Sequence, residues 1–153
     1  MDVTFLRDSA RWCRVAGYTA DRYENERKAT VPEGYRVVAS GVERREPAPT
    51  GGTVFSFTSL RAGFPGSIGV LPGDPVGVPS EGVTTGLYFR GEQADLAGVY
   101  GAETGKILTY LTSIYGPAPQ ANLTLIQTED GAPNGYAAEG ILFLAPRGIT
   151  RQV

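Results

Sequence analysis

The chain has 153 residues, of which 41% are hydrophobic and 20% are charged, and its net charge is −2 at neutral pH. This composition is typical of a globular protein and not of a disordered or fibrous one. The small and interspersed charge gives no electrostatic basis for binding nucleic acid. No apolar run approaches the roughly 20 residues that cross a bilayer, so we expect no membrane-spanning segment.

Histidine is absent, and cysteine occurs once, at Cys13. A zinc site with imidazole ligands, a serine triad and a histidine general base all need histidine. We therefore expect no catalytic residue and no metal ligand in this chain, and we expect Cys13 to be a small buried side chain. The first residues lack a basic segment followed by an apolar one, which predicts no signal peptide and leaves the compartment undecided.

The first part of the chain has β-strand character. Pro32-Glu33-Gly34 is a turn signal, because proline presets φ and glycine tolerates positive φ. Residues 35–39 are therefore predicted to return as the second strand of a hairpin. Residues 42–52 are polar and rich in proline and glycine, which predicts a surface loop.

A clean alternation over residues 53–58 predicts the next strand, with Phe55 and Phe57 in the core. A further short strand is predicted over residues 67–71. Glycine and proline are frequent between residues 61 and 82, and we place a domain boundary there, near Ser80.

The second part predicts a strand over residues 84–89 and then one helix over residues 92–115. Gly98, Gly101 and Gly105 each cost about 1 kcal/mol of helix propensity, which suggests that another element packs closely there. Gly116 and the proline after it predict the helix end. Apolar residues at three- and four-residue spacing predict one helix face against a core: Leu96, Val99, Tyr100, Ile107, Tyr110, Leu111 and Ile114.

After the helix, residues 123–127 predict a strand, residues 131–135 a loop, and residues 136–145 one final strand. The apolar run of residues 141–144 predicts burial on both faces of that strand. Glu139 lies inside it, where a lone carboxylate has to face solvent, a cleft or a positive partner. An outward-facing strand residue and a functional carboxylate both remain open for Glu139.

Several phrases of the sequence together resemble the aminopeptidase N-like zinc metallopeptidases of the gluzincin type. They are the helix end Tyr115-Gly116-Pro117-Ala118-Pro119, the strand over 123–128, and Gly135-Tyr136-Ala137-Ala138 before an apolar strand, with upstream agreement at Ala10-Arg11-Trp12, 31–35 and 38–41. The resemblance covers nearly the whole chain in the family's order.

The resemblance implies an α+β fold in two parts. Residues 1–80 would be the C-terminal strands of a β-sandwich, and residues 81–153 the opening β-α-β-β part of a thermolysin-like catalytic domain, truncated before the zinc motif. It also implies that the parent protein binds zinc and hydrolyses peptide bonds. The partners of this chain would then be a peptide substrate and the remainder of the catalytic domain.

In that family a segment like Gly-Ala-Met-Glu-Asn lines the substrate cleft as an edge strand, and its glutamate binds the free amino terminus. The implied substrate-binding residues here are Gly135, Tyr136, Ala137, Ala138 and Glu139. Ala137 takes the glutamate's place. Our hypothesis is that Glu139 substitutes for it, since residues two apart in a strand share a face.

Two other interpretations remain open. The chain is a non-catalytic peptide-binding or interaction module that kept this architecture, or a small stand-alone β-rich structural domain. The stand-alone domain is the least favoured, because the helix and the final strand would lack partners for their apolar faces. We therefore expect the isolated chain to expose the apolar stripe of the helix and one face of the final strands, and to associate.

Overall fold

The computed structural model describes residues 3–6, 22–80, 82–118, 122–132 and 135–151. These residues form mostly β-sheet with one α-helix, which is an α+β structure. The chain divides into two compact units between Asp74 and Pro75. The expectations for Ala10-Arg11-Trp12 and for Cys13 lie outside the described residues.

The described strands of the first unit form two three-stranded antiparallel sheets, ordered β1-β6-β3 and β2-β5-β4. The sheets share a core in which Phe55 and Phe57 are buried, as predicted. Arg27 is also buried, and its guanidinium donates to the carbonyls of Ser40 and Pro65. The strands are β1 (Thr4–Leu6), β2 (Glu26–Val31), β3 (Tyr35–Ala39), β4 (Val42–Pro47), β5 (Thr53–Thr58) and β6 (Ile68–Pro72).

The turn after β2 is present, but the predicted hairpin is wrong. The amide of Tyr35 donates to the carbonyl of Pro32 at 3.4 Å. Strand β2 then pairs with β5, whereas β3 pairs with β6 in the other sheet. A turn signal fixes only the local reversal of the chain, and the apolar faces of the strands decide which sheet each joins.

The predicted loop over residues 42–52 is also wrong in its first half, which forms the edge strand β4. Its side chains are charged and mostly exposed, which is how proteins protect a sheet edge from pairing with another chain. The guanidinium of Arg45 lies 5.5 Å from the ring centre of Phe55 and also pairs with Glu43. Charge along this stretch therefore reflects an exposed edge and not the absence of a strand.

The second unit contains a five-stranded mixed sheet with the order β10-β11-β9-β8-β7. The three central strands are parallel, and β7 and β10 run antiparallel to them at the two edges. Its elements are β7 (Val76–Ser80), β8 (Val83–Tyr88), a 3-10 turn (Gly91–Leu96), α1 (Ala97–Tyr115), β9 (Asn122–Gln127), β10 (Gly135–Ala138), β11 (Ile141–Leu144) and a second 3-10 turn (Pro146–Gly148).

Strand β7 lies in the stretch where the sequence places the domain boundary. It pairs with β8, and both strands belong to the second compact unit, which begins at Pro75. The proline and glycine residues on which the boundary rests lie in turns on both sides of β7 and inside β7 itself. Their frequency locates the region of the boundary but not the strand to which each residue belongs.

Helix α1 packs against the sheet with two of its glycines at the closest contacts. A Cβ on Gly101 would lie 2.5 Å from Cγ2 of Val78, and one on Gly105 would lie 2.7 Å from Oγ of Ser80. The predicted close approach is confirmed at these two positions. Gly98 has open space beside it.

The prediction that the apolar stripe of α1 faces a core is wrong for most of its residues. Leu96 is buried and Tyr100 is half-buried, but Tyr110 is 65% exposed. The other stripe residues are exposed as well: Val99, Ile107, Leu111 and Ile114. The expectation that this chain leaves the stripe exposed is thereby confirmed. The helix ends as predicted at Gly116, with φ 83°, and no helix in the described ranges combines the length and hydropathy of a bilayer span.

The single final strand predicted over residues 136–145 is wrong. The structure has two strands, β10 and β11, joined by a turn at Glu139 and Gly140, and Gly140 has φ 74°. The burial predicted for residues 141–144 is found on one face of β11, where Ile141 and Phe143 are buried, whereas Leu142 and Leu144 on the other face are half-buried. Gly140 is the turn signal in this stretch, because a left-handed backbone favours glycine.

Candidate functional site

All five sequence-predicted site residues lie in or beside the edge strand β10. Gly135, Tyr136, Ala137 and Ala138 form the strand, and Glu139 begins the turn that follows. Within the described residues β11 is the one strand paired with β10, so the other side of β10 is an edge of the sheet. An edge strand presents a row of backbone N–H and C=O groups to which an extended chain can add.

The two faces of β10 differ in chemistry. Tyr136 lies directly across from Phe143, and their ring centres are 5.7 Å apart in a tilted arrangement. Phe143 is 1% exposed, whereas Tyr136 is 44% exposed. Tyr136 is therefore an aromatic surface that rests on a fixed, buried ring.

On the opposite face Ala137 lies across from Leu142. Leu142 packs beside the cluster formed by Leu87, Ala97 and Leu125, which is the core between the sheet and α1. Side chains directly opposite each other in an antiparallel pair share a face. The exposed methyl group of Ala137 thus lies on the helix side of the sheet and the Tyr136 ring on the other.

Two clamps hold the chain that leads into β10. Where β9 ends, the amide of Arg90 donates to Oε1 of Gln127 at 2.6 Å, and its guanidinium lies 3.4 Å from the carbonyl oxygens of Gln127 and Thr128. Nearer to β10, the guanidinium of Arg147 donates to the carbonyl of Ala132 at 2.9 Å. The connection before the edge strand is therefore fixed at both of these points.

These clamps were not found from the sequence, although one signal was present. Arg90 and Gln127 each stand at the end of a predicted strand, and polar residues at the carboxyl ends of neighbouring parallel strands lie at one edge of the sheet. Arg147 lies beyond the last predicted strand and has no comparable signal. Its partner is a backbone carbonyl, which no residue pattern identifies.

The carboxylates near β10 lie at its ends and not along it. Glu139 is in the turn, so the prediction that it sits within a strand is wrong, and the argument that it shares a face with Ala137 does not apply. Glu129 and Asp130 are exposed in the connection before β10. The side chains of the strand itself are uncharged.

A second group of charges lies in the first unit, at a depression of about 200 Å³ that Arg36, Arg45 and Asp74 help to line. The Arg36 guanidinium is 3.2 Å from Asp74 and 3.4 Å from Glu43, and Arg45 also pairs with Glu43. Both arginines are thus already paired with carboxylates. This depression lacks the excess positive charge that an anion site needs.

The described residues do not fit a zinc ion. No three acidic or cysteine residues among them come together as a metal-binding group, and the sequence supplies no histidine. A protein zinc site draws its ligands from nitrogen, sulfur and carboxylate donors gathered around one point. The part of the chain that the structure describes does not gather such a set by itself.

The fold and the edge strand together define the structural class with which known proteins can be compared. The described part is an α+β arrangement whose mixed sheet ends in two edge strands, β7 and the short strand β10. No protein-family profile matches the chain, and no curated protein matches it in sequence. Among solved structures, native yeast LTA4 hydrolase has the same fold over 86% of this chain, with a TM-score of 0.56 and 16% sequence identity.

The likeness extends over 21% of the LTA4 hydrolase chain, so this chain spans about a fifth of that protein. At this level of identity the comparison establishes the fold alone.

Proposed function

We propose that this chain is part of a zinc-dependent, aminopeptidase-like metallopeptidase, and that it contributes the substrate-lining edge strand β10 but no catalytic residue. The observation that carries the proposal is the position of Gly135–Ala138 at the exposed edge of a mixed sheet. The sequence resembles this family at the same residues. The fold that the chain shares with native yeast LTA4 hydrolase, a hydrolase by name, is compatible with the proposal.

The two units support the domain assignment. The shared core of the two sheets in the first unit is the arrangement that the end of a β-sandwich would have. In the second unit a strand, a helix and three further strands follow β7, which is one strand more than the β-α-β-β opening that the resemblance implies. The peptidase domain would begin with the second unit.

The proposed role of β10 follows from backbone chemistry. An extended peptide that adds to a sheet edge is held by main-chain hydrogen bonds, and its alternate side chains meet the two faces of the edge strand. A strand of four residues offers about two to four such bonds on one side. At about 1 kcal/mol each, they correspond to a Kd of about 1 mM or weaker.

Hydrolysis of the bound peptide would depend on residues outside this sequence. In the proposed parent a bound zinc ion supplies a Lewis acid and an activated water. The contribution of this chain is to align the peptide backbone along Gly135, Tyr136, Ala137 and Ala138, with Glu139 at the end of the edge. The remainder of the catalytic domain would be its partner.

A second candidate is a non-catalytic peptide-binding or interaction module with the same edge. The absence of histidine from all 153 residues is compatible with both candidates, because in the first the zinc motif would lie outside this sequence. Both candidates use β10 in the same way. The coding sequence that adjoins residue 153 in the genome distinguishes them, since an H-E-x-x-H motif in frame supports the enzyme and a frame without one supports the module.

Binding at β10 is tested with extended peptides of six alanine and valine residues, titrated into the full 153-residue chain and followed by amide NMR. We expect the largest shifts at residues 135–138. N-methylation of alternate peptide residues removes the donors that face β10, while methylation of the intervening residues leaves them intact. One methylated series should therefore lose binding and the other keep it; equal binding by both series would contradict strand addition.

A further inference from the structure

The side chains along β10 offer hydrogen, a phenol and two methyl groups, and no charge. A free amino terminus is a cation, and its strong partners are carboxylates at hydrogen-bonding distance. Gly135 and Ala137 are exposed, and neither carries a charge that could hold an amino terminus. The carboxylates of the turn and of the preceding connection stand beyond the two ends of the strand.

Tyr136 is the one large side chain of the strand. Its ring is supported by the buried ring of Phe143 at 5.7 Å and remains 44% exposed. A peptide added to β10 places one of its side chains beside Tyr136 on the same face. Aromatic rings pair favourably there with β-branched or aromatic side chains.

We propose that β10 binds an internal stretch of extended peptide, with an apolar side chain beside Tyr136, and does not require a free amino terminus. This inference rests on the proposed function, since it concerns the peptide that the same edge accepts. The substrate class is then peptides that are bound through internal residues and not through their amino terminus. Amino-terminally blocked chains belong to that class.

The first test compares a valine-containing peptide with a free amino terminus and the same peptide with an acetylated one, both titrated into the full chain. We expect their dissociation constants to agree within about two-fold. Ala137→Glu places a carboxylate on the exposed strand and should strengthen binding of the free peptide several-fold without strengthening that of the acetylated one. Val76→Glu adds the same charge at the exposed far edge of the sheet and serves as the matched control.

The second test concerns the aromatic contact. Tyr136→Ala should weaken binding of a peptide with valine at alternate positions several-fold, and should change binding of an all-alanine peptide by less. Tyr136→Phe keeps the ring and should bind like the native chain. An equal loss for both peptides with Tyr136→Ala would contradict the aromatic contact, because general damage to the strand affects every ligand.

The inference and the proposed function fail in different ways. If the native chain binds the free peptide at least ten-fold more tightly, and Glu139→Gln removes that preference, the inference is wrong while strand addition stands. If neither peptide shifts the amides of residues 135–138, both are wrong. If the free and the acetylated peptide bind equally, and only one of the two N-methylated series loses binding, both the inference and the proposed function are supported.

Discussion

Replacing Gly101 with alanine is the sharpest test of how α1 lies on the sheet. The new methyl carbon would lie 2.5 Å from Cγ2 and 2.9 Å from Cβ of Val78, and 3.2 Å from Cδ1 of Leu87. Carbon atoms in packed cores approach to about 3.5–4.0 Å. Rotation of Val78 moves its Cγ2 but not its Cβ, so the helix or β7 has to move by roughly half an ångström or more.

The magnitude comes from two opposing terms. Overpacking of this kind costs about 1–3 kcal/mol, while glycine to alanine in a helix gains about 1 kcal/mol of propensity. Gly98→Ala has the same propensity gain with no neighbour within 4 Å. The difference between the two variants cancels propensity, and we expect Gly101→Ala to be less stable than Gly98→Ala by about 1–3 kcal/mol.

Urea unfolding followed by helical circular dichroism measures this difference, because α1 is the α-helix of the described residues and reports on the second unit. An unchanged m-value identifies the shift in midpoint as a change in stability. Gly98→Ala should raise the midpoint and Gly101→Ala should lower it. If both variants moved the midpoint equally in one direction, the close contact with Val78 would be refuted.

Three further perturbations have defined outcomes. Arg27→Met leaves the carbonyls that its guanidinium satisfies without a donor, and should destabilise the first unit by about 2–4 kcal/mol in chemical unfolding. Gly140→Ala places a methyl group at φ 74° and should cost about 1–2 kcal/mol, read as faster amide exchange in β10. The double change Ile107→Lys and Ile114→Lys removes two exposed apolar side chains and should abolish concentration-dependent association in sedimentation, with helicity retained.

Each of these has a control within the chain. Lys28→Ala removes an exposed ion pair next to Arg27 and should change stability by less than about 0.5 kcal/mol. Gly77→Ala adds a methyl group in open space without a positive φ and should leave β10 exchange unchanged. Association that persists after the lysine substitutions would place the contact surface away from α1.

Short-range patterns predicted individual elements well. Alternation identified β5 and the burial of Phe55 and Phe57, and Gly116 marked the helix end. These signals depend on a few adjacent residues, whose backbone preferences and burial act locally.

The errors at the helix and at β4 have one physical cause, which is that burial and strand pairing depend on distant partners. The helix was expected to bury its largest apolar side chains, but the buried positions include Gly101 and Gly105, because a strand approaches them closely. The spacing of apolar side chains predicts which helix face is buried only when that face carries large side chains. Here the buried face carries glycines. The charged strand β4 was missed because an exposed edge strand gains its stability from pairing with β5 and not from its own burial.

The turn after β2 has a consequence for folding kinetics. Because β2 and β3 enter different sheets, they do not form a hairpin with each other. Each pairs with a strand much later in the chain: Glu26 pairs with Thr58, and Tyr35 with Pro72. Contacts between residues far apart in sequence must first overcome loop-closure entropy, which slows folding. The β10-β11 hairpin, by contrast, closes over one tight turn and belongs to the fastest elementary steps, in the microsecond range. The first unit is therefore expected to form its sheets late, and a stopped-flow refolding trace should owe its slow phase to them.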